Sequence, residues 1–310
     1  MVLRTVAVLL ALLLAWPIGL ALWANGRLDH VSALSGAPDT PGTTYLLAGS
    51  DARGDGAIAE DGTLGARTDT IMLLHVPPAG PAALISLPRD SYVDVPGLGP
   101  SKLNASFSAG GAPLLVQTAE QISGLTVDHY VEVGFAGVEG VVDAVGGVDL
   151  CLDRDVNEPL SGLVWTAGCH RTEGPMALAF ARMRYDDPKG DLGRAERQQQ
   201  LIHAITTEVA TPATLLQPSR QVDLVRAGTG ALVVSDSTGI LDLGRLALAF
   251  RRATGPDGVT GTPPISNPDY RPGGLGSTVQ LDPDKAGAFW AGIADGSLPP
   301  GIQGGLPTPG

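Results

Sequence analysis

The chain has 310 residues, which is enough for one or two domains with a sizeable hydrophobic core. Its 20 Lys and Arg residues against 32 Asp and Glu residues give a formal net charge of −12. This charge argues against a general nucleic-acid binder, since such proteins carry a basic surplus. Gly and Pro, at 42 and 25 residues, stay below the share that marks a disordered low-complexity chain.

The N-terminus carries an uncharged apolar run at residues 5–24, which has the length that a helix needs to cross a bilayer. Arg4 precedes the run, so the positive-inside rule places residues 1–4 in the cytoplasm and the rest of the chain outside. We therefore predict a single-pass protein of the cell membrane, and a cleaved signal peptide is the alternative. Residues 25–42 are polar, contain Pro and Gly, and are predicted to be a linker.

Strands and helices alternate through the following two thirds of the chain. Short apolar runs predict strands at 44–49, 69–76, 82–87, 129–135 and 147–152, the second and third of which form a hairpin. Helical patterns are found at 113–122, 136–145, 174–182 and 191–210. This alternation predicts an α/β fold, and the hairpin makes the central sheet mixed rather than wholly parallel.

The last third of the chain has fewer strand signals. Residues 235–253 predict a capped amphipathic helix, and 281–293 predict a shorter helix. Residues 258–277 are expected to be loop or edge strand, and 296–310 a disordered tail. We therefore predict one extracellular domain over 43–295, with its last third wrapped around the first part.

Cys151 and Cys169 are the only two cysteines of the chain, and they lie 18 residues apart. Outside the membrane, an isolated pair of this kind is typical of a disulfide. A bridge across such a loop contributes about 3 kcal/mol in the loop-entropy model. Two unpaired buried thiols are the alternative.

Charged residues gather at the ends of the predicted strands, which is where open α/β sheets place ligands. Guanidinium groups bind phosphate in bidentate pairs, and carboxylates combined with substrate phosphates suit Mg²⁺. We therefore predict a site for a phosphate-bearing anion with Mg²⁺, although any one of these arginines could instead bridge surface loops. The candidate residues are Asp51, Arg67, Asp69, Arg89, Asp90, Lys102, Arg182, Arg184, Asp191, Arg194, Arg197 and Gln198.

Six segments in order resemble the LytR-CpsA-Psr family of membrane-anchored glycopolymer transferases. They are LLAGSDARGD (46–55), ARTDTIML (66–73), SLPRD (86–90), KLNASFSAGG (102–111), ARMRYDD (181–187) and GDLGRAERQQQL (190–201). The resemblance covers about 44–205 and implies an α-β-α arrangement on a mixed sheet, with a hydrophobic channel for a prenyl tail. Similar actinobacterial sequences carry a cysteine pair before the R-x-R segment, which supports the Cys151–Cys169 bridge. The excess of Arg over Lys also suggests an actinobacterial source.

The resemblance implies a reaction and a role for each candidate. The family moves an anionic glycopolymer from a polyprenyl-pyrophosphate carrier to a peptidoglycan sugar hydroxyl. The carboxylates of Asp51 and Asp69 are then associated with Mg²⁺. The pyrophosphate clamp is expected from Arg67, Arg89, Arg182, Arg184 and Arg194. Lys102, Asp191 and Gln198 match further pocket positions, and Arg197 shares a helix face with Arg194 and Gln198.

Several points stay open from the sequence. Either Asp90 or Asp191 is expected to be the general base. The expected partners are the lipid-linked glycopolymer, peptidoglycan and the membrane, with no nucleic acid. The alternatives are a polyprenyl-pyrophosphate pyrophosphatase, which uses water as acceptor, and a non-catalytic membrane-anchored protein that binds polymer or regulates its synthesis.

Overall fold

A computed structural model describes residues 15–50, 68–183, 187 and 191–306. The chain divides into two compact units, and the extent of the single domain predicted over 43–295 stays a prediction. We call residues 29–134 with 233–310 the sheet unit, and residues 1–28 with 135–232 the helical unit. The division arises because the segment after residue 134 buries apolar side chains in a core of its own.

The sheet unit is built on a mixed sheet, as predicted. Within the described residues this sheet has eight strands in the order β1-β12-β7-β2-β3-β4-β13-β16. These strands are β1 (Asp29–Val31), β2 (Thr43–Ser50), β3 (Thr68–Val76), β4 (Ala83–Ser86), β7 (His129–Gly134), β12 (Leu232–Ser235), β13 (Val259–Thr262) and β16 (Gly301–Gly304). The same unit contains two smaller antiparallel pairs, β5 (Tyr92–Val95) with β6 (Gly99–Lys102) and β14 (Ile265–Tyr270) with β15 (Thr278–Leu281).

The direction of the strands defines the two edges of this sheet. β2 is parallel to β7, and β4 is parallel to β13, which is parallel to β16. β3 is antiparallel to both β2 and β4, which confirms the predicted hairpin and makes β2 and β4 parallel to each other. The carboxyl ends of β2, β4 and β7 therefore lie at one edge, together with the beginning of β3. We call it the C-terminal edge and the opposite one the N-terminal edge.

Helices cover both faces of the sheet, which is an α-β-α arrangement. The helices of this unit are α2 (Leu103–Ser123), α8 (Ile240–Ala253) and α9 (Pro283–Ala294). Successive residues of β2 point to opposite faces, so Leu46 packs in the core with α2 and α9, while Tyr45 packs in the core under α8. Each fully buried large apolar side chain of these cores contributes about 1.5–3 kcal/mol.

The helical unit combines short hairpins with helices. Its helices are α1 (described at 15–25), α3 (Phe135–Ala144), α4 (Gly174–Arg182), α5 (Asp191–Val209), α6 (Pro212–Leu216) and α7 (Pro218–Gly230). Its strands are β8 (Val148–Leu152), β9 (Val156–Glu158), β10 (Leu163–Trp165) and β11 (Gly168–Thr172). Trp165 packs against Phe180 with ring centroids 5.2 Å apart. The predicted disulfide is confirmed, since Cys151 and Cys169 are directly opposite on β8 and β11 and are bonded.

Three strands of the main sheet come from stretches for which the sequence predicted no regular structure or at most an edge strand. The predicted linker 25–42 supplies β1, and the predicted loop or edge strand 258–277 begins with β13, which lies inside the sheet between β4 and β16. The predicted disordered tail 296–310 is corrected by β16, whose residues Gly301–Gly304 pair with β13. These strands are stabilised by backbone hydrogen bonds to a neighbouring strand, which leave little periodic signal in the side chains.

Two predicted helices have different beginnings in the structure. α2 begins at Leu103 rather than 113, and it contains a kink at Gly111, whose φ of +62° is accessible to glycine. The helix predicted from 235 begins at Ile240, because residues up to Ser235 belong to β12. The other predicted helices match α3, α4, α5 and α9 to within a few residues.

The predicted membrane span at 5–24 falls only partly within the described residues. Residues 15–25 are helical. None of the helices in the described ranges combines the length and the apolar character that crossing a bilayer requires. The membrane anchor and the extracellular location stay predictions.

Candidate functional site

A cluster of three predicted residues lies at the C-terminal edge of the sheet unit. Arg89 and Asp90 form a turn shortly after β4, and Lys102 is the last residue of β6. The Asp90 carboxylate receives Lys102 Nζ at 2.7 Å on one oxygen and Arg89 Nε at 3.4 Å on the other. All three side chains are between 23% and 34% exposed, so water and a ligand can reach them.

Backbone hydrogen bonds fix this cluster. Leu103 N donates to Ser91 O, and Asn104 N donates to Arg89 O, both at 2.9 Å. The turn that carries Arg89 is therefore attached to the beginning of α2. Two cations share one carboxylate, so the three groups carry a formal charge of +1 in a half-buried place. An arrangement of this kind attracts an anion and presents donors that are already oriented.

A carboxylate that the sequence reasoning missed, Glu132, also lies at this edge, on β7. Its two oxygens accept hydrogen bonds from Ser50 Oγ at 2.5 Å and from Tyr130 Oη at 2.8 Å. Ser50 and Tyr130 are fully buried. Burial, and then the adjacent Glu132 charge, raise the pKa of Tyr130 well above its ordinary value, so the phenol stays a donor at all physiological pH. Ser50 lies 82 residues before Glu132, so sequence spacing gave no signal for this contact.

Asp69 occupies a special backbone position. The pairing of β2 with β3 shifts between Gly49, opposite Thr70, and Ser50, opposite Thr68. Asp69 is the extra residue of this β-bulge. Thr68 Oγ1 donates to Gly49 O at 2.9 Å and helps to fix the irregular pairing. Bulges occur next to active sites, where they redirect a side chain.

Arg197 lies on α5 in the helical unit, and its side chain is 5% exposed. Its Nε donates to Phe180 O at 3.1 Å, and its terminal nitrogens bond Met183 O and the buried Asp187 carboxylate. Arg154 Nη2 is 3.4 Å from the other oxygen of Asp187. A Cβ at Gly193 would collide with this carboxylate, so a larger residue there would displace the Asp187 side chain. Arg197 thus fastens the end of α4 to α5.

Other predicted residues have simpler surroundings. Arg182 is the last residue of α4, is half-buried, and makes no ion pair or hydrogen bond with any residue that the structure describes. Gln198 follows Arg197 on α5 and is also half-buried. Asp191 and Arg194 lie on α5, where only their backbone is described. Asp51, Arg67 and Arg184 lie outside the described residues.

The Mg²⁺ prediction is not tested by the described residues. The described residues contain no group of three or more His, Cys, Asp or Glu side chains arranged to hold a metal ion. Of the two expected Mg²⁺ ligands, Asp51 is outside the described residues and Asp69 is described by its backbone alone. Mg²⁺ therefore stays a prediction.

The fold and the cationic cluster define a class: an α/β protein with two cations beside one carboxylate at the C-terminal edge of a mixed sheet. The comparison with known families is more specific. The model of the LytR_cpsA_psr family matches residues 24–237, and the chain belongs to this family.

Relatives of known name agree with this assignment. The chain is 41% identical over 283 residues to the probable cell wall biosynthesis protein LcpB of Corynebacterium glutamicum, covering 88% of this chain and 67% of that protein. It is 34% identical over 214 residues to the polyisoprenyl-teichoic acid–peptidoglycan teichoic acid transferase TagU of Enterococcus faecalis, covering 68% of this chain and 67% of the relative. The chain thus spans about two thirds of the length of these relatives.

Solved structures show the same fold. A LytR-Csp2A-Psr enzyme from Actinomyces oris superposes with a TM-score of 0.63 at 21% identity, over 86% of this chain and 96% of that one. The protein described as TagT bound to LI-WTA superposes with a TM-score of 0.58 at 24% identity, over 87% of this chain and all of that one. At these identities the likeness establishes the fold alone.

Proposed function

We propose that this chain transfers an anionic glycopolymer from a polyprenyl-pyrophosphate carrier to a sugar hydroxyl of peptidoglycan. The observation that carries the proposal is the Arg89–Asp90–Lys102 cluster at the C-terminal edge, in a chain of this family. The name of TagU as a teichoic acid transferase supports the donor and the acceptor.

The bond changes follow from the chemistry of a pyrophosphate donor. The acceptor oxygen attacks the phosphorus that is attached to the glycopolymer, and the bond from this phosphorus to the bridging oxygen breaks. Polyprenyl monophosphate leaves, and the new link is a phosphodiester. The hydroxyl proton passes to a base and then to water, so atoms and charge balance.

The protein's contribution is positioning and charge stabilisation, because phosphoryl transfer needs little covalent help. Arg89 and Lys102 bind pyrophosphate oxygens and stabilise the negative charge that builds on the leaving phosphate. Asp90 contacts both cations, so it orients them. Asp191, the other candidate for the general base, lies in the helical unit, and its role stays a prediction. Arg182, also in the helical unit, stays a predicted phosphate ligand.

The oxygens at the C-terminal edge suit Mg²⁺. The described donors are the Ser50 hydroxyl and the Glu132 carboxylate, which are hard ligands of the kind that Mg²⁺ prefers. Asp51 and Asp69 would hold the ion, since Asp51 directly follows β2 and Asp69 is in the bulge beside it. Bound Mg²⁺ would neutralise charge on the pyrophosphate oxygens.

The test uses the full chain, a short saccharide linked to polyprenyl pyrophosphate, and peptidoglycan oligomers. Release of polyprenyl monophosphate is measured with and without the acceptor, and with Mg²⁺ or a chelator. The proposal predicts release that requires both the acceptor and Mg²⁺. Equal release without the acceptor would identify a pyrophosphatase. Binding of the donor with no release in the presence of acceptor and Mg²⁺ would identify a polymer-binding protein.

A further inference from the structure

Two tyrosines of the sheet unit lie outside its hydrophobic cores. Tyr92 on β5 and Tyr270 on β14 are half-buried, and their ring centroids are 5.3 Å apart with the ring planes inclined by 65°. Within the described part of the chain, neither hydroxyl makes a hydrogen bond. The other two described tyrosines, Tyr45 and Tyr130, are almost completely buried. Tyr92 and Tyr270 therefore combine accessible aromatic surface with hydroxyls that no described residue engages.

Tyr92 lies on the side of the β5–β6 pair that faces away from the core. Val93 packs against the core and Val95 is fully buried, so the alternating residues Tyr92 and Asp94 point to the opposite side. Asp94 is exposed, as this direction requires. The residues opposite these two on β6 are Lys102 and Pro100. We call the side formed by Tyr92, Asp94, Pro100 and Lys102 the outer hairpin face.

The outer hairpin face contains a residue of the candidate site. Tyr92 is directly opposite Lys102 in the antiparallel pairing, so the two side chains are neighbours with Cβ atoms about 5 Å apart. Lys102 Nζ is 2.7 Å from the Asp90 carboxylate, which also contacts Arg89. The Tyr92 side chain is therefore adjacent to the cations that we assign to pyrophosphate.

Backbone contacts connect Tyr270 to the same place. Val279 N donates to Asp90 O at 2.9 Å, and Val279 also forms a parallel bridge with Ser91. Thr278, directly before Val279, is paired with Tyr270 and donates from Oγ1 to Tyr270 O at 2.7 Å. The match to the family model ends at residue 237, so the second ring belongs to a segment that this model does not define.

Packing between the two hairpins explains only part of this arrangement. Aromatic rings in edge contact stabilise each other, but phenylalanine would serve that purpose equally well. The hydroxyls and the adjacent charged groups are additional, and they suit a sugar. A pyranose has apolar C–H faces that stack on aromatic rings, and its hydroxyls bond to phenols and carboxylates. Asp94 provides such a carboxylate on the same face as Tyr92.

We propose that Tyr92, Tyr270 and Asp94 hold the pyranose ring that adjoins the phosphate bound by Arg89 and Lys102. The inference rests on the proposed function, because the bound phosphate determines where the ring lies. A pyrophosphate donor carries its first sugar directly on the phosphate, so this ring reaches a side chain next to Lys102. The acceptor sugar must approach the same phosphorus. The shared chemistry is a hexopyranose, and two arms of the experiment distinguish donor from acceptor.

The test measures ligand binding to the full chain in detergent by titration calorimetry. The donor arm compares farnesyl pyrophosphate, which has no sugar, with the same pyrophosphate linked to N-acetylglucosamine. The acceptor arm uses soluble peptidoglycan oligomers. We expect Tyr92→Ala to weaken binding of the sugar-bearing donor or of the oligomers about ten-fold, and to leave the affinity for farnesyl pyrophosphate unchanged. The ligand that loses affinity identifies the source of the ring.

Conservative variants separate sugar binding from packing. Proton NMR should show C–H signals of the bound sugar shifted upfield, as expected for protons over an aromatic ring. Tyr92→Phe should retain this shift and Tyr92→Ala should abolish it. Leu98→Ala is the matched control, since Leu98 is 53% exposed at the tip of the same hairpin, and it should change neither affinity nor shift.

The contrary outcomes are distinct. Equal affinities of the parent and Tyr92→Ala for the sugar-bearing donor and for the oligomers would overturn the sugar site and leave the pyrophosphate site intact. Equal losses for farnesyl pyrophosphate and its sugar-bearing form, in both Tyr92→Ala and Tyr270→Leu, would assign the rings to packing and also overturn it. If the parent did not bind farnesyl pyrophosphate, or if Arg89→Ala bound it equally well, the proposed function would fail together with this inference.

Discussion

The two units use arginine in opposite ways. In the helical unit, Arg197 is buried, and its guanidinium is saturated by two carbonyls and Asp187. In the sheet unit, Arg89 is 23% exposed and contacts Asp90, which also binds Lys102. Both arginines belong to motifs that suggested phosphate binding. Their surroundings show that arginines of such motifs can be either fully buried between structural partners or partly exposed beside a carboxylate.

The largest effect is expected in the helical unit. Arg197→Ala would remove one cationic partner of the buried Asp187 carboxylate, and removing one partner of a buried pair costs about 3–5 kcal/mol. Arg182→Ala on the neighbouring helix should cost about 0.5 kcal/mol or less, since Arg182 makes no described ion pair. Urea unfolding of both variants measures this difference. Equal losses would contradict the distinction between a buried anchor and an available cation.

The next effect is expected in the sheet unit and concerns rate. Arg89→Ala should lower transfer roughly a hundred- to thousand-fold, because it removes one preorganised donor to the leaving phosphate. Arg226→Ala is the matched control, as Arg226 is 59% exposed and pairs only with Asp223 at 3.3 Å among described residues. Initial rates of polyprenyl monophosphate release are compared at equal folded protein. A control that loses as much activity as Arg89→Ala would remove the assigned role.

A smaller effect is expected for substitution of Glu132, whose carboxylate accepts hydrogen bonds from two buried side chains. Glu132→Gln keeps one carbonyl oxygen, so either Ser50 or Tyr130 loses its acceptor, and one such loss costs about 1–3 kcal/mol. We expect about ten-fold slower transfer and a lower free energy of unfolding. Tyr130→Phe should also lower the transfer rate and the free energy of unfolding, but by a smaller amount. If Glu132→Gln transferred glycopolymer at the parental rate, the Glu132 carboxylate would not be needed to hold the C-terminal edge in its active arrangement.

The smallest expected effect is a difference between the two units in how the free energy of unfolding changes as the pH falls. Burial lowers the pKa of His75 in the sheet unit below its ordinary 6.5. Between pH 6.5 and the lowered pKa, the His75 imidazole is protonated more in the unfolded chain than in the folded chain. The free energy of unfolding therefore falls as the pH decreases. The loss from pH 7 to 6 is below about 1 kcal/mol.

In the helical unit, the hydrogen bond from Arg171 lowers the pKa of Glu208 below 4.5. Its contribution is therefore complete above pH 4.5 and is lost only as pH falls further. Hydrogen exchange at pH 7 and pH 6 should show β3 opening more readily, with α5 unchanged. His75→Gln should flatten the response of β3, and the exposed His170→Gln should not. An unaltered response in His75→Gln would contradict the account.

Local signals predicted the elements that depend on local chemistry. α4 begins at Gly-Pro and continues through small and apolar residues, and its bounds at Gly174–Arg182 match the prediction. β16 was predicted as disordered, since its sequence GIQG has no periodicity and its order comes from pairing with β13. The division into two units follows from which side chains share a core, and local sequence patterns do not encode it.

The candidate site also combines features that local sequence predicts with features that only the tertiary structure reveals. Arg89 and Asp90 were predicted at the end of the third strand and Lys102 in the loop that follows, and the structure brings the three side chains together. Glu132 was missed, as its partner Ser50 is distant in sequence. Arg197 and Arg194 are three residues apart on one helix, and only the packing of α5 against α4 reveals that Arg197 points into the helical unit.

The most direct test of the central claim is the chemical identity of the product. After reaction with labelled donor, the peptidoglycan is digested with a muramidase and the fragments are analysed by mass spectrometry. We predict fragments that carry the saccharide through one phosphodiester, formed by the parent chain and greatly reduced with Arg89→Ala. Unmodified fragments together with free saccharide phosphate would contradict transfer and would assign the C-terminal edge to hydrolysis.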